Sequence, residues 1–256
     1  MLVLGYLFFI FFIFSWIGTG ESLIAIRLAS WRRHAILMCN SNCNNPLADQ
    51  LLGRLKGTSI FLVGMMGSGK TSIGKLLAQR LGYLHLDSDE AAEYLLAPRT
   101  IADVFHEEGG EDTFRQLEAS VLRELVQHRR VVVSTGGGAV LKRENWGTLR
   151  HGLVVHLEAS PTLLFDRLTR LEAPAQRPLL RGDALQVMGT LQRLHQERAH
   201  LYQQADVSVA QQGEDGPEQV CDRIIGELVH FIDSHPPQWQ QWKEQRAERE
   251  EEEEAA

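Results

Sequence analysis

A glycine-rich segment, residues 64–71, constrains the fold of this chain more than any other feature of its sequence. It reads Gly-Met-Met-Gly-Ser-Gly-Lys-Thr and matches the pattern G-x-x-x-x-G-K-[ST]. A short apolar run, residues 59–63, precedes it, and a helical pattern with one apolar face follows over residues 70–81. A strand, a glycine loop and a helix in this order are typical of phosphate-binding loops. The segment therefore predicts an α/β fold that binds a nucleoside triphosphate.

The residues of this loop have complementary tasks in holding a triphosphate. Glycines allow a sharp turn in which successive backbone N–H groups converge on the phosphates. Lys70 is predicted to bridge the β- and γ-phosphates, and the hydroxyl of Thr71 to coordinate Mg²⁺. The helix that follows directs its N-terminal dipole at the same anion. The predicted ATP-binding residues are Gly67, Ser68, Gly69, Lys70 and Thr71 in this segment and Ser72 directly after it.

After the loop, apolar segments of strand length alternate with helical patterns. Such alternation is typical of a parallel sheet covered by helices. The predicted strands are residues 59–63, 83–86, 131–134, 153–157 and 207–209. The predicted helices are residues 70–81, 89–96, 100–108, 111–128, 161–171, 183–204 and 217–233. The sequence contains no internal repeat, so we expect one α/β domain with extra segments at its ends.

The N-terminal stretch is apolar but short. Residues 2–17 fall below the ~20 residues that cross a bilayer, and no Lys or Arg precedes them as in a secretory signal. Several arginines follow, so a stretch inserted over residues 2–19 would leave the rest of the chain on the cytoplasmic side. Alternatively, Met38 is the true start, and the stretch is not part of the working protein. Either interpretation predicts a cytoplasmic domain.

Changes in composition divide the chain into four predicted segments. Residues 1–37 form the apolar extension, and residues 38–57 form an Asn-rich, weakly helical linker. Residues 58–235 form the α/β domain, which two prolines terminate. Residues 236–256 contain a run of five Glu and are predicted to be a disordered, solvated tail.

Charge and cysteine content argue against nucleic-acid binding and against a zinc site. The formal net charge is −7, and residues 243–256 hold seven Glu against three basic residues. The rest of the chain has no basic excess suited to nucleic acid. Cys39, Cys43 and Cys221 lack the second close pair that would complete a zinc site. We therefore expect reduced thiols in a cytosol-like compartment and no nucleic-acid partner.

From Lys56 to about Asp233 the chain resembles the shikimate kinase family. It carries six of the family's motifs in the family's order, which are GMMGSGKTSIGKLLA, DSD, FRQLE, STGGG, RPLL and ERAHLY. The resemblance implies a P-loop fold of the nucleoside-monophosphate-kinase type, with a five-stranded parallel sheet flanked by helices and a mobile lid. It also implies shikimate and ATP as the bound partners. We expect a monomer, with membrane contact only through the apolar N-terminal stretch.

The resemblance assigns roles to two acidic residues and an arginine. Carboxylates at a strand end can face different partners, and the family places Asp87 in the shell of Mg²⁺ and Asp89 against the attacking hydroxyl of shikimate. It places Arg115 on the shikimate carboxylate, because a guanidinium group can bind two oxygens in parallel. Glu118 is expected to fix that arginine. A purely structural role for either Asp would be to cap the next helix.

Three further positions follow from the resemblance. Gly137, in the glycine run 136–138, would allow the backbone to approach shikimate closely. Arg177 lies in the irregular stretch expected to form the lid, and it resembles the arginine that closes on the ATP phosphates. Arg198 matches the second arginine that holds the substrate carboxylate. Arg193, on the same predicted helix, has no role in the motif and is expected to be exposed.

The implied reaction is transfer of the γ-phosphoryl group of MgATP to the 3-hydroxyl of shikimate, in chorismate and aromatic amino acid biosynthesis. Lys70, Asp89 and Arg177 are the expected catalytic residues. A related P-loop kinase acting on gluconate or a nucleoside monophosphate would share the loop and fold, and this alternative stays open. A non-catalytic interaction protein is the second alternative, but such descendants usually lose the loop lysine or the aspartate, and both are present.

Overall fold

The structure is a computed structural model that describes residues 46–105, 107, 109–170, 183–213 and 215–235. The predicted N-terminal extension and acidic tail lie outside these residues. In chain order the elements are α1 (Pro46–Leu55), β1 (Ile60–Val63), α2 (Lys70–Leu81), β2 (Leu84–Asp87), α3 (Ser88–Leu96), α4 (Ile101–Phe105), α5 (Gly110–Val126), β3 (Val131–Ser134), a 3₁₀ turn (Ala139–Leu141), α6 (Arg143–Leu149), β4 (Leu153–Glu158), α7 (Pro161–Arg170), α8 (Ala184–Tyr202), β5 (Val207–Ala210) and α9 (Pro217–Ser234).

The five strands form one sheet in the order β2-β3-β1-β4-β5. All four strand pairings are parallel. This confirms the predicted five-stranded parallel sheet. Because β1 is the central strand, the glycine loop that follows it lies at the middle of the sheet's carboxyl edge. The segments after β2 and β3 reach the same edge, where ligands bind in open α/β sheets.

Alternation along β1 shows how the sheet is buried on both faces. Phe61 and Val63 pack into the core on one face, and Ile60 and Leu62 pack into the core on the other. All four side chains are inaccessible to solvent. A parallel sheet with helices on both faces requires such continuous apolar strands. The central strand is therefore held rigidly, and the loop at its end has a fixed starting point.

Helix α1 lies within the segment 38–57, which was predicted to be a weakly helical linker. Leu51 and Leu55 are fully buried in the core between the sheet and α9. The guanidinium group of Arg54 donates to both carboxylate oxygens of Asp233 at 2.6 and 3.0 Å, which ties α1 to α9. The described part of the linker is thus packed helix, because its leucines at i and i+4 face a groove that the sequence alone does not reveal.

Most predicted elements are present within two residues of their expected ends, but two short ones were missed. The 3₁₀ turn and α6 follow the glycine run and have little apolar periodicity. Side-chain bonds to the backbone hold them together, since Nδ2 of Asn145 donates to the carbonyl of Ala139 and Nε1 of Trp146 to that of Val140. The helix expected over residues 100–108 is also shorter, at Ile101–Phe105.

Within the described ranges, no helix is long and apolar enough to cross a membrane.

Candidate active site

The glycine loop, residues 64–71, curls tightly against the sheet at the end of β1. Gly64, Gly67 and Gly69 have φ angles of 150°, 79° and 84°, in a region that side chains disfavour. A Cβ atom on Gly64 would lie 2.7 Å from the carbonyl oxygen of Leu157 on β4. Only glycine therefore fits this backbone path, which is the geometry that a phosphate-binding loop needs.

The ammonium group of Lys70 is held inside the turn of this loop. Its Nζ donates to the carbonyl oxygens of Gly64 at 2.8 Å and Met65 at 2.9 Å, and its side chain is buried. The positive charge is thus already positioned beside the loop, so little side-chain entropy remains to be lost when a phosphate arrives. Ser68 is also buried, whereas Ser72 is exposed in the first turn of α2.

Two sets of hydrogen bonds, both missed by sequence reasoning, support the loop from behind. Oγ of Ser134 donates to the carbonyl of Lys70 at 2.8 Å, and the ring of His85 bonds that same hydroxyl at 2.9 Å. These two side chains fill the space that a Cβ atom on Gly74 would need, with Oγ of Ser134 2.6 Å from it. The first turn of α2 is therefore fixed to β2 and β3.

The second set of bonds reaches the loop from β5. Nε2 of Gln211 donates to the carbonyl of Ser68 at 3.0 Å, and the guanidinium of Arg167 donates to Oε1 of Gln211 at 2.7 Å. Burial lowers the pKa of Arg167, and the nearby carboxylate of Asp215 opposes this shift. No sequence signal marked these residues, because Arg167 on α7 and Gln211 meet only through the fold.

Asp87 contacts both the loop and the helix that follows it. Its Oδ2 accepts a hydrogen bond from the hydroxyl of Thr71 at 2.7 Å. Its Oδ1 caps α3 by accepting from the N–H groups of Asp89 at 2.9 Å and Glu90 at 3.3 Å. The capping role and the expected metal-shell role therefore use different oxygens. The hydroxyl and carboxylate are hard oxygen donors beside the loop, so they fit Mg²⁺, which takes few protein ligands and keeps several waters.

Asp89 and Glu118 approach each other beside Gly136. A Cβ atom on Gly136 would lie 2.7 Å from Oδ1 of Asp89 and 2.3 Å from Oε1 of Glu118. The N–H of Gly136 donates to Oγ of Ser88 at 2.9 Å, which fastens the glycine run to the start of α3. Since any side chain here would displace both carboxylates, this glycine places Asp89 directly against the run that follows β3.

Arg115 and Glu118 form a buried ion pair on α5, as the sequence predicted. NH1 of Arg115 donates to Oε2 of Glu118 at 2.9 Å, and NH2 lies 3.4 Å from the exposed Glu111. Both partners of the short pair are almost inaccessible to solvent. Burial raises the pKa of Glu118, and the positive charge of Arg115 opposes that shift. A Cβ atom on Gly138 would collide with the guanidinium, so Arg115 also packs against the glycine run.

Arg198 reaches the same glycine run from α8. Its NH1 donates to the carbonyl oxygen of Gly137 at 2.8 Å. The hydroxyl of Tyr202, one turn later on the same helix, donates to that oxygen at 3.0 Å. The structure thus brings together Asp89, Arg115, Gly137 and Arg198, which sequence reasoning placed in one site. Tyr202 ends the motif ERAHLY, but sequence reasoning gave it no role of its own.

Three buried polar atoms around the glycine run have no hydrogen-bond partner among the described residues. They are Nε of Arg115, Oε1 of Glu118 and Nε of Arg198. Buried polar atoms in native proteins are nearly always paired, so these two donors and one acceptor suit a polar ligand. Two guanidinium groups beside open backbone form an environment for a small carboxylate that also carries hydroxyl groups.

Two further arginines, Arg193 and Arg177, were considered in the sequence prediction. Arg193 is exposed and pairs with Glu197 one turn along α8, as expected for a residue outside the site. Arg177 and the rest of the expected lid lie outside the described residues, so its role stays a prediction.

At the level of sequence, the chain is similar to proteins of one family. The profile of a family described as shikimate kinase matches residues 66–229. A shikimate kinase of Synechococcus elongatus is 44% identical over 192 residues, which are 73% of this chain and 97% of the relative. One from Thermosynechococcus vestitus is 45% identical over 188 residues, 73% of this chain and 99% of the relative.

Solved structures of shikimate kinases have the same fold as this chain. A shikimate kinase from Acinetobacter baumannii in complex with shikimate superposes with a TM-score of 0.62 and 32% identity, and the match covers 73% of this chain and 98% of that one. A shikimate kinase from Bacteroides thetaiotaomicron gives a TM-score of 0.60 with 35% identity, covering 65% and 96%. Both proteins resemble this chain over nearly their whole length.

Proposed function

Because the chain belongs to the shikimate kinase family, we propose that it transfers the γ-phosphoryl group of MgATP to the 3-hydroxyl of shikimate, giving shikimate 3-phosphate and ADP. The observation that carries this proposal is the pair of buried guanidinium groups, Arg115 and Arg198, on either side of the glycine run 136–138. The product belongs to chorismate and aromatic amino acid biosynthesis.

The acceptor is recognised through its carboxylate. Glu118 holds the guanidinium of Arg115 in place, and the carbonyl of Gly137 positions Arg198 beside the glycine run before the acceptor binds. A guanidinium group can donate two parallel hydrogen bonds to a carboxylate, and in a buried site these bonds are strong. Both arginines stand at the glycine run, so a carboxylate bound between them would place the ring of the acceptor along Gly137. Gly137 is partly exposed, so its backbone is accessible to that ring.

Asp89 orients the attacking hydroxyl and accepts its proton. Its side chain is half-buried beside Gly136, on the same edge of the sheet as the glycine loop. A carboxylate within hydrogen-bond reach of the hydroxyl directs its oxygen towards the γ-phosphorus and takes up the proton as the new P–O bond forms. Neighbouring Asp87 is occupied with Thr71 and with the cap of α3, so the two carboxylates have separate tasks.

The nucleotide is held by Gly67, Ser68, Gly69, Lys70, Thr71 and Ser72. Lys70 places its charge against the β- and γ-phosphates, and the backbone of the loop donates to them. Thr71 and Asp87 would hold Mg²⁺, which neutralises charge on the phosphates when bound. Arg177 is proposed, from the resemblance alone, to offset charge on the transferring group.

Acceptor choice tests the proposal directly. ADP release is measured with shikimate, gluconate and the four nucleoside monophosphates at equal concentration, and phosphorus NMR of the product locates the phosphate on the ring. Shikimate is expected to give by far the largest kcat/KM, with phosphate on the 3-hydroxyl. Absence of turnover with shikimate, or a larger kcat/KM with gluconate or a nucleotide, would overturn the proposal.

A further inference from the structure

The carbonyl oxygen of Gly137 accepts two hydrogen bonds from one helix. NH1 of Arg198 and the hydroxyl of Tyr202 donate to it at 2.8 and 3.0 Å. Both donors are almost inaccessible to solvent, at 3% and 2% exposed. They are four residues apart on α8 and so lie on the same face of the helix. A carbonyl oxygen has two lone pairs, and both are used here.

This double contact matters because Arg198 has a second task. If the acceptor carboxylate draws the Arg198 guanidinium towards itself, the bond to Gly137 weakens or breaks. If Arg198 were the only donor to this carbonyl, its departure would leave a buried oxygen without a hydrogen bond, which costs free energy. The second donor removes this cost, because the hydroxyl of Tyr202 still satisfies the oxygen. Nε of Arg198 is already without a partner among the described residues, so this guanidinium is incompletely bonded before the acceptor binds.

We propose that Tyr202 is a positioning residue, which keeps the Gly137 carbonyl satisfied so that Arg198 can transfer its hydrogen bonds to the carboxylate of the acceptor. The inference rests on the proposed function, in which Arg198 binds that carboxylate. Tyr202 itself touches neither substrate. Its effect is to hold the backbone of Gly137 in one place while Arg198 changes partners.

The ring of Tyr202 is fixed from its other side. It stacks on the ring of His156, with centroids 4.7 Å apart and an angle of 4° between the planes. Nδ1 of His156 bonds Oγ of Ser208 at 2.8 Å, so β5, β4 and α8 are linked up to the glycine run. Burial lowers the pKa of His156 to about 4 and raises the pKa of Tyr202 to about 12. At neutral pH the imidazole is therefore uncharged and the tyrosine hydroxyl retains its proton.

The variant Tyr202→Phe removes the hydroxyl and keeps the stacked ring. We expect the KM for shikimate to rise about tenfold, because in the variant the carbonyl of Gly137 keeps the donor Arg198 until the acceptor binds and has no donor once Arg198 leaves it. The KM for ATP and the melting temperature should stay near the wild-type values. Tyr94→Phe, on the exposed side of α3, is the matched control and should change neither KM. A merely structural tyrosine would instead lower the melting temperature and raise both KM values together.

An acceptor without the carboxylate gives a second readout. Shikimate whose carboxylate is reduced to a hydroxymethyl group offers Arg198 no anion, so Tyr202→Phe should change its KM by less than about twofold. If instead the substitution raises the KM for both acceptors by the same factor, Tyr202 does not act through Arg198 and the inference fails. Should Tyr202→Phe fold poorly, His156→Leu tests the same link, and it must also raise the KM for shikimate but not for the reduced acceptor.

Failure of the inference is distinguishable from failure of the proposed function. Wild-type enzyme and Arg198→Lys are assayed alongside. If wild type does not phosphorylate shikimate, the proposed function is wrong and the inference falls with it. If wild type does so but Arg198→Lys leaves the KM for shikimate unchanged, Arg198 does not bind the carboxylate and the inference fails while the proposed activity stands. If both behave as proposed and Tyr202→Phe still matches wild type, only the inference is overturned.

Discussion

Thr71 and Asp87 are joined by a hydrogen bond of 2.7 Å between Oγ1 and Oδ2, although sixteen residues separate them in the chain. The bond connects the end of the glycine loop to the end of β2. The other oxygen of Asp87 caps α3. One side chain thus couples the nucleotide site to the helix that carries Asp89.

Because the two oxygens of Asp87 have different partners, a substitution of Asp87 is predicted to weaken Mg²⁺ binding without lowering stability. Asp87→Asn retains an oxygen to cap α3, and asparagine is as good a cap as aspartate, so the free energy of unfolding should change little. The lost charge should raise the Mg²⁺ concentration needed for half-maximal activity by about tenfold or more. Titration of activity with Mg²⁺, beside denaturant unfolding, measures both. Asp103→Asn, which removes a carboxylate far from the loop, is the control.

Asp89 is expected to contribute to the phosphoryl-transfer step and not to the binding of ATP. Asp89→Asn keeps the shape of the side chain but cannot accept the proton of the attacking hydroxyl, so kcat should fall by roughly 10²- to 10⁴-fold. The dissociation constant for ATP, measured by calorimetry, should stay within about twofold of wild type. Glu90→Gln, at the next position but exposed, should leave kcat unchanged. A large loss of ATP affinity in Asp89→Asn would contradict the assignment.

Arg115 is predicted to matter for both binding and stability. Arg115→Ala should raise the KM for shikimate strongly, and it leaves the Glu118 carboxylate buried without its partner. An uncompensated buried charge costs about 3–5 kcal/mol, so the free energy of unfolding should fall by that order. Adding Glu118→Gln removes the charge and should restore part of the stability but none of the shikimate affinity. Urea unfolding and steady-state kinetics of the single and double variants test this difference.

His85 and His156 predict a loss of stability in acid. Burial lowers the pKa of each from its ordinary 6.5 to about 4. The unfolded chain therefore binds more protons than the folded one between those values, and stability should fall as the pH drops from 6.5 towards 4. Glu118, whose pKa is raised, acts in the opposite sense. Comparing wild type with His156→Phe at each pH cancels that contribution, and the variant should show the shallower decline. Parallel curves for the two proteins would contradict the predicted shift.

The order of strands and helices could be predicted from the sequence because the signals for these elements are local. The glycine loop, the apolar strands and most helices depend on residues within a few positions of one another, and the structure places them close to the predicted bounds. Helix α6 was missed because bonds to the backbone after β3 hold it, and helix α1, expected only as a weakly helical segment, is held by contacts with α9. No short stretch of sequence contains these contacts.

The candidate site divides in the same way. Lys70, Asp89, Arg115 and Arg198 were found because they occur in motifs, and the structure brings the last three to one glycine run. Gln211 and Arg167 were missed because a lone Gln or Arg on a predicted element is ordinarily a surface residue. Tyr202 lies in the motif of Arg198, but nothing in that motif assigned it a contact. Only their hydrogen bonds to the loop backbone identify them.

The sequence by itself determined the strand, the glycine loop and the helix that bind phosphate, because the required backbone angles are set by the glycines themselves. It also determined which charged residues are present. Only the tertiary structure decided which of them meet. Gly137 bonds Arg198 and Tyr202 across separations of 61 and 65 residues. Such contacts exist because burial of both faces of the sheet brings α8 to the end of β3, and no local preference encodes that approach.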